Sequence, residues 1–200
     1  MGFELGTGAT AIGMRLKDTV VLAAEKKFSY GGFVMSRSVK KIFRIHDRIA
    51  IAAAGLFADM QTISRIINNE IRYYEITSKR PISVRGAARQ ISLILYSYKY
   101  MPFLTELIIG GVDSEGPHIY VMDPLGSLIE DDFAAVGTGA QIAIGLLEGS
   151  YRKDLDLEKA IELAVEAVRI ASRRDTMSGE GVDVAIIRES GYDERYYPLK

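Results

Sequence analysis

The stretch TAIGMRLKDTVVLAAE, residues 10–25, decides the fold. Apolar and small residues alternate from Thr10 to Leu16 and then run without a break from Thr19 to Ala24, the pattern of a strand buried on both faces. Lys17 and Asp18 between the two runs read as a hairpin turn. Outward from this hairpin, residues 41–45 (KIFRI) and 48–54 (RIAIAAA) repeat the pattern around His46 and Asp47, and Gly55 ends it. The period then changes. Met60, Ile63, Ile67 and Ile71 fall at helical spacing and Pro81 closes that helix's neighbourhood, while Val84, Ala87, Ala88, Ile91 and Leu95 form the stripe of a second helix from about Ser83 to about Tyr98.

Strand patterns return at residues 104–110, 118–122 and 127–130, with turn chemistry at 113–116 and 123–126. Residues 139–149 and 156–173 read as two further helices. The second carries Leu157, Ala160, Ile161, Ala164 and Val168 on one face behind an expected Asp156 cap. Residues 182–188 (VDVAIIR) make a last strand. Strands, two helices, strands, two helices and a strand imply an α+β chain in which two sheets pack face to face and helix pairs cover the outsides. The expected architecture is a four-layer α-β-β-α sandwich, with residues 9–200 as one domain behind a short extension, residues 1–8.

Composition narrows the chemistry. Two hundred residues can bury about 70% of the surface of the unfolded chain, so no metal or disulfide is needed to hold the core. Hydrophobic residues at 48% and charged residues at 26% describe a globular chain, and a net charge of -1 without a basic stripe speaks against nucleic acid. Zero cysteines exclude a disulfide framework, a thiolate metal site and a cysteine nucleophile. No apolar stretch is long enough to span a membrane and the start lacks a positive leader, so a cytoplasmic protein without membrane partners is expected. Gly6 stands where a myristoylation pattern needs Ser or Thr.

Individual motifs are weak taken singly. Gly137-Thr138-Gly139 opens a dinucleotide pattern that fails at Ile142. His46 and His118 have no ligands at metal spacing and read as ordinary solvated or packed histidines, so neither metal nor cofactor is expected. Lys40 and Lys41 would be a solvated strand end.

Together, in order, the stretches TAIGMRLKDTVVLAAEKK, SVKKIF, IAAAGLFADMQ, LIIGGVD, GTGA and RRDTMSGEGVDVAII resemble the β-subunits of the proteasome core particle, archaeal type, over nearly the whole chain. The resemblance implies the fold of the amino-terminal nucleophile hydrolases. In that family a threonine freed by loss of a short propeptide attacks the peptide carbonyl, with its own amine or a neighbouring lysine as base, because a hydroxyl is a weak nucleophile alone.

Carried over by position, the resemblance places the acid that orients the lysine on Glu25, the lysine on Lys41, the oxyanion N–H on Gly55, and the supporting network on Asp175, Ser178 and Thr138, with Gly179 in the same loop. Lys27 stands where arginine is frequent. Phe28, Val39 and Ala53 fall on the walls of the first specificity pocket. The nucleophile position falls on Ala9. A methyl group can neither attack substrate nor start the acyl shift that removes a propeptide, so residues 1–8 are expected to be retained and the subunit to be inert.

Thr10 is the alternative nucleophile, through trimming one residue later. It shares strand parity with Ile12, Met14 and Leu16, whereas Ala9 shares it with Ala11 and Gly13, so Thr10 is expected on the opposite face. Both a natural non-catalytic subunit and a Thr-to-Ala variant of an active one fit Ala9. The implied partners are α-subunits and other, active β-subunits in stacked seven-membered rings, unfolded polypeptide as substrate, and indirectly a regulatory ATPase.

Overall fold

The computed structural model describes residues 8–30 and 32–199. The hairpin that opens the sequence is β1, Thr10–Arg15, and β2, Thr19–Glu25; both are buried almost throughout. A short hairpin of β3, Phe28–Tyr30, and β4, Phe33–Ser36, stands apart as a two-stranded sheet. Next come β5, Ile42–His46, β6, Ile49–Gly55, and the helices α1, Phe57–Ser78, and α2, Val84–Ser97. The meander follows as β7, Thr105–Asp113, β8, Gly116–Met122, and β9, Ile129–Asp131. The chain then crosses to β10, Phe133–Gly137, the helices α3, Ala140–Ser150, and α4, Leu157–Ser172, and closes with β11, Gly181–Arg188, and β12, Gly191–Pro198.

Among these residues two five-stranded antiparallel sheets form, one in the order β10-β1-β2-β11-β12 and the other β5-β6-β7-β8-β9. Helices α3 and α4 cover the first sheet, α1 and α2 the second. The result is the expected four-layer α+β sandwich. Strand parity sorts the side chains. Ala11, Val20 and Leu22 join the core that faces the second sheet, and Ile12, Met14 and Val21 join the core under α4, built from Ala160, Ile161, Ala164 and Val168. The sheets approach so closely at Gly13 that a Cβ there would stand 2.7 Å from Ile108 Cγ2.

Local sequence explains the helix ends in part. Ser83 caps α2 by accepting the Gly86 N–H at 3.0 Å, whereas Asp156, expected to cap α4, holds the cap position without a side-chain cap bond. There the Asp156 carbonyl takes the Ala160 N–H at 2.9 Å. α1 ends where Lys79 turns left-handed at φ 54° and donates its N–H to the Glu75 carbonyl. The strand expected at 127–130 begins two residues later, because Asp123 gathers the Leu125, Gly126 and Ser127 amides into a turn.

Candidate functional site

The end of β1 meets the end of β10 and the loop after α4, and the polar residues of the chain converge there. Glu25 finishes β2 with a side chain sealed from solvent, and Lys41, just before β5, is among the largest fully buried side chains. The Lys41 ammonium donates to a Glu25 carboxylate oxygen and to the Lys27 carbonyl at 2.6 Å. The second Glu25 oxygen takes the Lys27 N–H at 2.6 Å and the Gly179 N–H at 3.0 Å. The bonds tie Lys41 and the loop at Gly179 to the end of β2 and the residues just after it.

Burial pushes the Lys41 ammonium down from its ordinary pKa, opposed by the attraction of Glu25. Burial pushes the Glu25 carboxyl up, opposed by Lys41 and by the two amides. Burial thus works against the charged form of both groups, and their mutual attraction works for it. Asp175 adds its field to Lys41 from the loop after α4.

Asp175 is the hub of the other half. One of its oxygens accepts from the Ser178 hydroxyl and, at 2.6 Å, from the Thr138 hydroxyl, and the other accepts the Met177 N–H at 3.0 Å. Thr138 also lies 3.4 Å from the Ala9 carbonyl, and the Gly139 N–H points at the same oxygen from 3.5 Å. Ala9 itself is fully buried in the core between the sheets. Gly137 turns at φ 96°, and a Cβ there would run into that carbonyl.

Thr10 lies on the other face of β1, fully buried, with its hydroxyl 2.8 Å from that of Ser178. A Cβ on Gly139 would collide with that hydroxyl, so the group is enclosed by backbone as well as by Ser178. Gly55 ends β6 at φ 131°, where a Cβ would strike the Leu104 carbonyl. It borders an open cleft of about 550 Å³ lined also by Gly8, Leu104, Glu106, Pro124 and Thr138.

The three residues assigned to a first specificity pocket do not line that cleft. Phe28 packs on Phe57 at 5.4 Å between ring centres, Val39 gives its N–H to the Lys26 carbonyl, and the buried Ala53 gives its N–H to the Lys41 carbonyl. Of the three, only Ala53 is bonded to Lys41, through the backbone. Residues 1–7 of the N-terminal extension lie outside the described residues; Gly8 is the first in view, pressed so close to Met177 that it has no room for a Cβ.

Some participants had no signal in the sequence. Glu106 of β7 accepts the Gly137 N–H at 2.7 Å and ties the second sheet to the first beside the cleft. A lone acid inside LTELIIG was the only hint of it. His46 and His118 each meet a carboxylate after all, Glu75 of α1 at 3.1 Å and Glu130 of the neighbouring strand β9 at 2.8 Å. Among the described residues no cluster suited to a metal ion occurs, and no helix is long and apolar enough to cross a membrane.

The profile of the family described as "Proteasome subunit" matches residues 5–187. The chain belongs to the proteasome subunit family. It is 56% identical over 189 residues to proteasome subunit beta 1 of Hyperthermus butylicus, spanning 94% of this chain and 93% of that protein. It is 48% identical over 200 residues to proteasome subunit beta 2 of Pyrobaculum calidifontis, spanning 100% of this chain and 98% of the relative. With proteasome subunit beta 1 of Ignicoccus hospitalis the identity is 55% over 186 residues, 93% of each chain. The similarity is therefore to β-type proteasome subunits from end to end.

Proposed function

We propose that this chain is a structural β-subunit of the proteasome core particle, built into a β ring stacked on α-subunits while other β-subunits in the particle cut the polypeptide. Ala9 carries the reading. Its methyl stands at the end of β1, where the carbonyl is gripped by Thr138 and Gly139 and where the reaction of this family needs a hydroxyl. Without that oxygen there is neither attack on a peptide carbonyl nor self-removal of residues 1–8. The extension stays, and the subunit serves as chamber wall in a cytoplasmic particle that takes in unfolded chains.

A second reading rests on the intact surroundings. Lys41 is bonded to Glu25, and Thr138 and Ser178 to Asp175, among the residues that the resemblance assigns to catalysis, which supports the reading that a parent with threonine at position 9 would be a threonine endopeptidase. Ala9→Thr tests both readings. In the assembled particle it should yield cleavage after Gly8, read by intact mass, and new peptidase activity; an uncleaved chain would show that the site has decayed beyond Ala9. Thr10→Ala in the unaltered chain should leave the particle's peptidase activity as it was. A loss of activity would hand the reaction to Thr10.

A further inference from the structure

Glu106 is the one exposed residue of β7. Between the buried Thr105 and Leu107 it turns outward into the wall of the cleft of about 550 Å³ that Gly55 and Thr138 border. One carboxylate oxygen accepts the Gly137 N–H at 2.7 Å. The other has no donor among the described residues, and no cation pairs with Glu106 among them. A neutral amide oxygen would serve the Gly137 N–H as well. The negative charge and the second oxygen are therefore left over once the fold has been served.

Among the described residues Glu106 is the only charged one in the cleft wall. Two lining residues are themselves held by carboxylates, since Asp59 accepts the Leu104 N–H at 2.7 Å and Asp175 accepts the Thr138 hydroxyl at 2.6 Å. The charges around the cleft thus share one sign, and low-dielectric walls concentrate their field. Leu104, Pro124 and Ala54 give the cleft apolar surface, and Gly8, Gly55 and Gly137 leave backbone bare where a second chain can come close. Apolar walls that end at a carboxylate fit a side chain with a methylene stem and a cationic head. Phe28, Val39 and Ala53, which the resemblance places in the first specificity pocket, do not belong to these walls, so the cleft is a separate subsite.

We propose that this cleft holds a lysine or arginine side chain of an extended polypeptide, with Leu104 and Pro124 along its stem and the unbonded Glu106 oxygen on its cation. This rests on the reading of the chain as a β-subunit whose site faces polypeptide, and adds which segments it holds. Glu106 is then a specificity-determining residue, selecting basic segments over neutral ones. In a subunit that does not cut, the cleft retains such segments beside the subunits that do.

The test uses the particle assembled with its α- and β-type partners, its active subunits blocked covalently and this chain alone carrying isotope-labelled methyl groups. Two end-blocked pentapeptides, alike except for a central lysine or norleucine, are titrated while the methyl signals of Ala54 and Leu104 are followed by NMR. The lysine peptide should bind about tenfold more tightly, and that preference should shrink as salt is raised. Glu106→Gln keeps an acceptor for the Gly137 N–H and should bring the lysine peptide down to the affinity of the norleucine one. No shift with either peptide, equal binding of the two by the unaltered chain, or a lysine preference that survives Glu106→Gln overturns the proposal. So does a preference seen only after residues 2–7 are deleted, which would make the N-terminal extension the occupant. If the unaltered chain never co-purifies with α-subunits, the β-subunit reading falls instead.

Discussion

Glu25 and Lys41 depend on each other for more than geometry. Each is sealed from water, so removing one leaves the other as an uncompensated buried group. Glu25→Gln should therefore destabilise the fold by about 3–5 kcal/mol in chemical denaturation. Glu25→Gln with Lys41→Met should lose less than the two single losses added. The pH dependence has a defined sign. Lys41 holds its proton less tightly folded than unfolded, so between its lowered folded pKa and the ordinary 10.5 the unfolded chain binds more protons and stability rises with pH. The deficit of Glu25→Gln should narrow from pH 7 toward pH 10; a deficit that widens would mean the ammonium is not held down by burial.

At the scale of elements, Gly55 links β6 to α1 in a conformation that L side chains rarely adopt. Gly55→Ala should lower stability by about 3 kcal/mol or more, read as a fall in Tm, since strain and the collision with Leu104 act together. Much of the framework was legible in the sequence, because strands buried on both faces leave continuous apolar runs such as VVLAA and IAIAAA. Three of the four helices showed through their 3.6-residue stripes. β3, β4 and β12 did not show, because they are short or largely exposed, and Phe33, Met35 and Tyr196 face water where a core pattern would hide them. β10 was hidden by FAAVG, too small and short to read alone. The alignment of Glu25, Lys41, Asp175 and Ser178 came from a resemblance. No spacing rule predicts that the Gly179 N–H, 154 positions on, bonds to Glu25, or that the Gly137 N–H bonds to Glu106 on the other sheet.

Across the whole molecule, the two sheets are tied at both ends of the sandwich, by Glu106 on the Gly137 N–H beside the cleft and by Arg15 on Glu130 and Asp132 at the far end. Mass spectrometry of the chain from an assembled particle tests the proposed role at this scale. A mass near 22.1 kDa is expected, with residues 1–8 retained. A mass short by residues 1–9 would place Thr10 at a free amine and overturn the inert reading.

The interlocked burial of Glu25 and Lys41 also bears on descent. In a subunit released from selection for catalysis, neither residue could drift alone without destabilising the fold, so folding by itself would keep the pair in place. Alanine and threonine codons differ by a single first-position base. A lineage carrying such a subunit stands one nucleotide from a protease whose remaining parts have been kept in repair by stability.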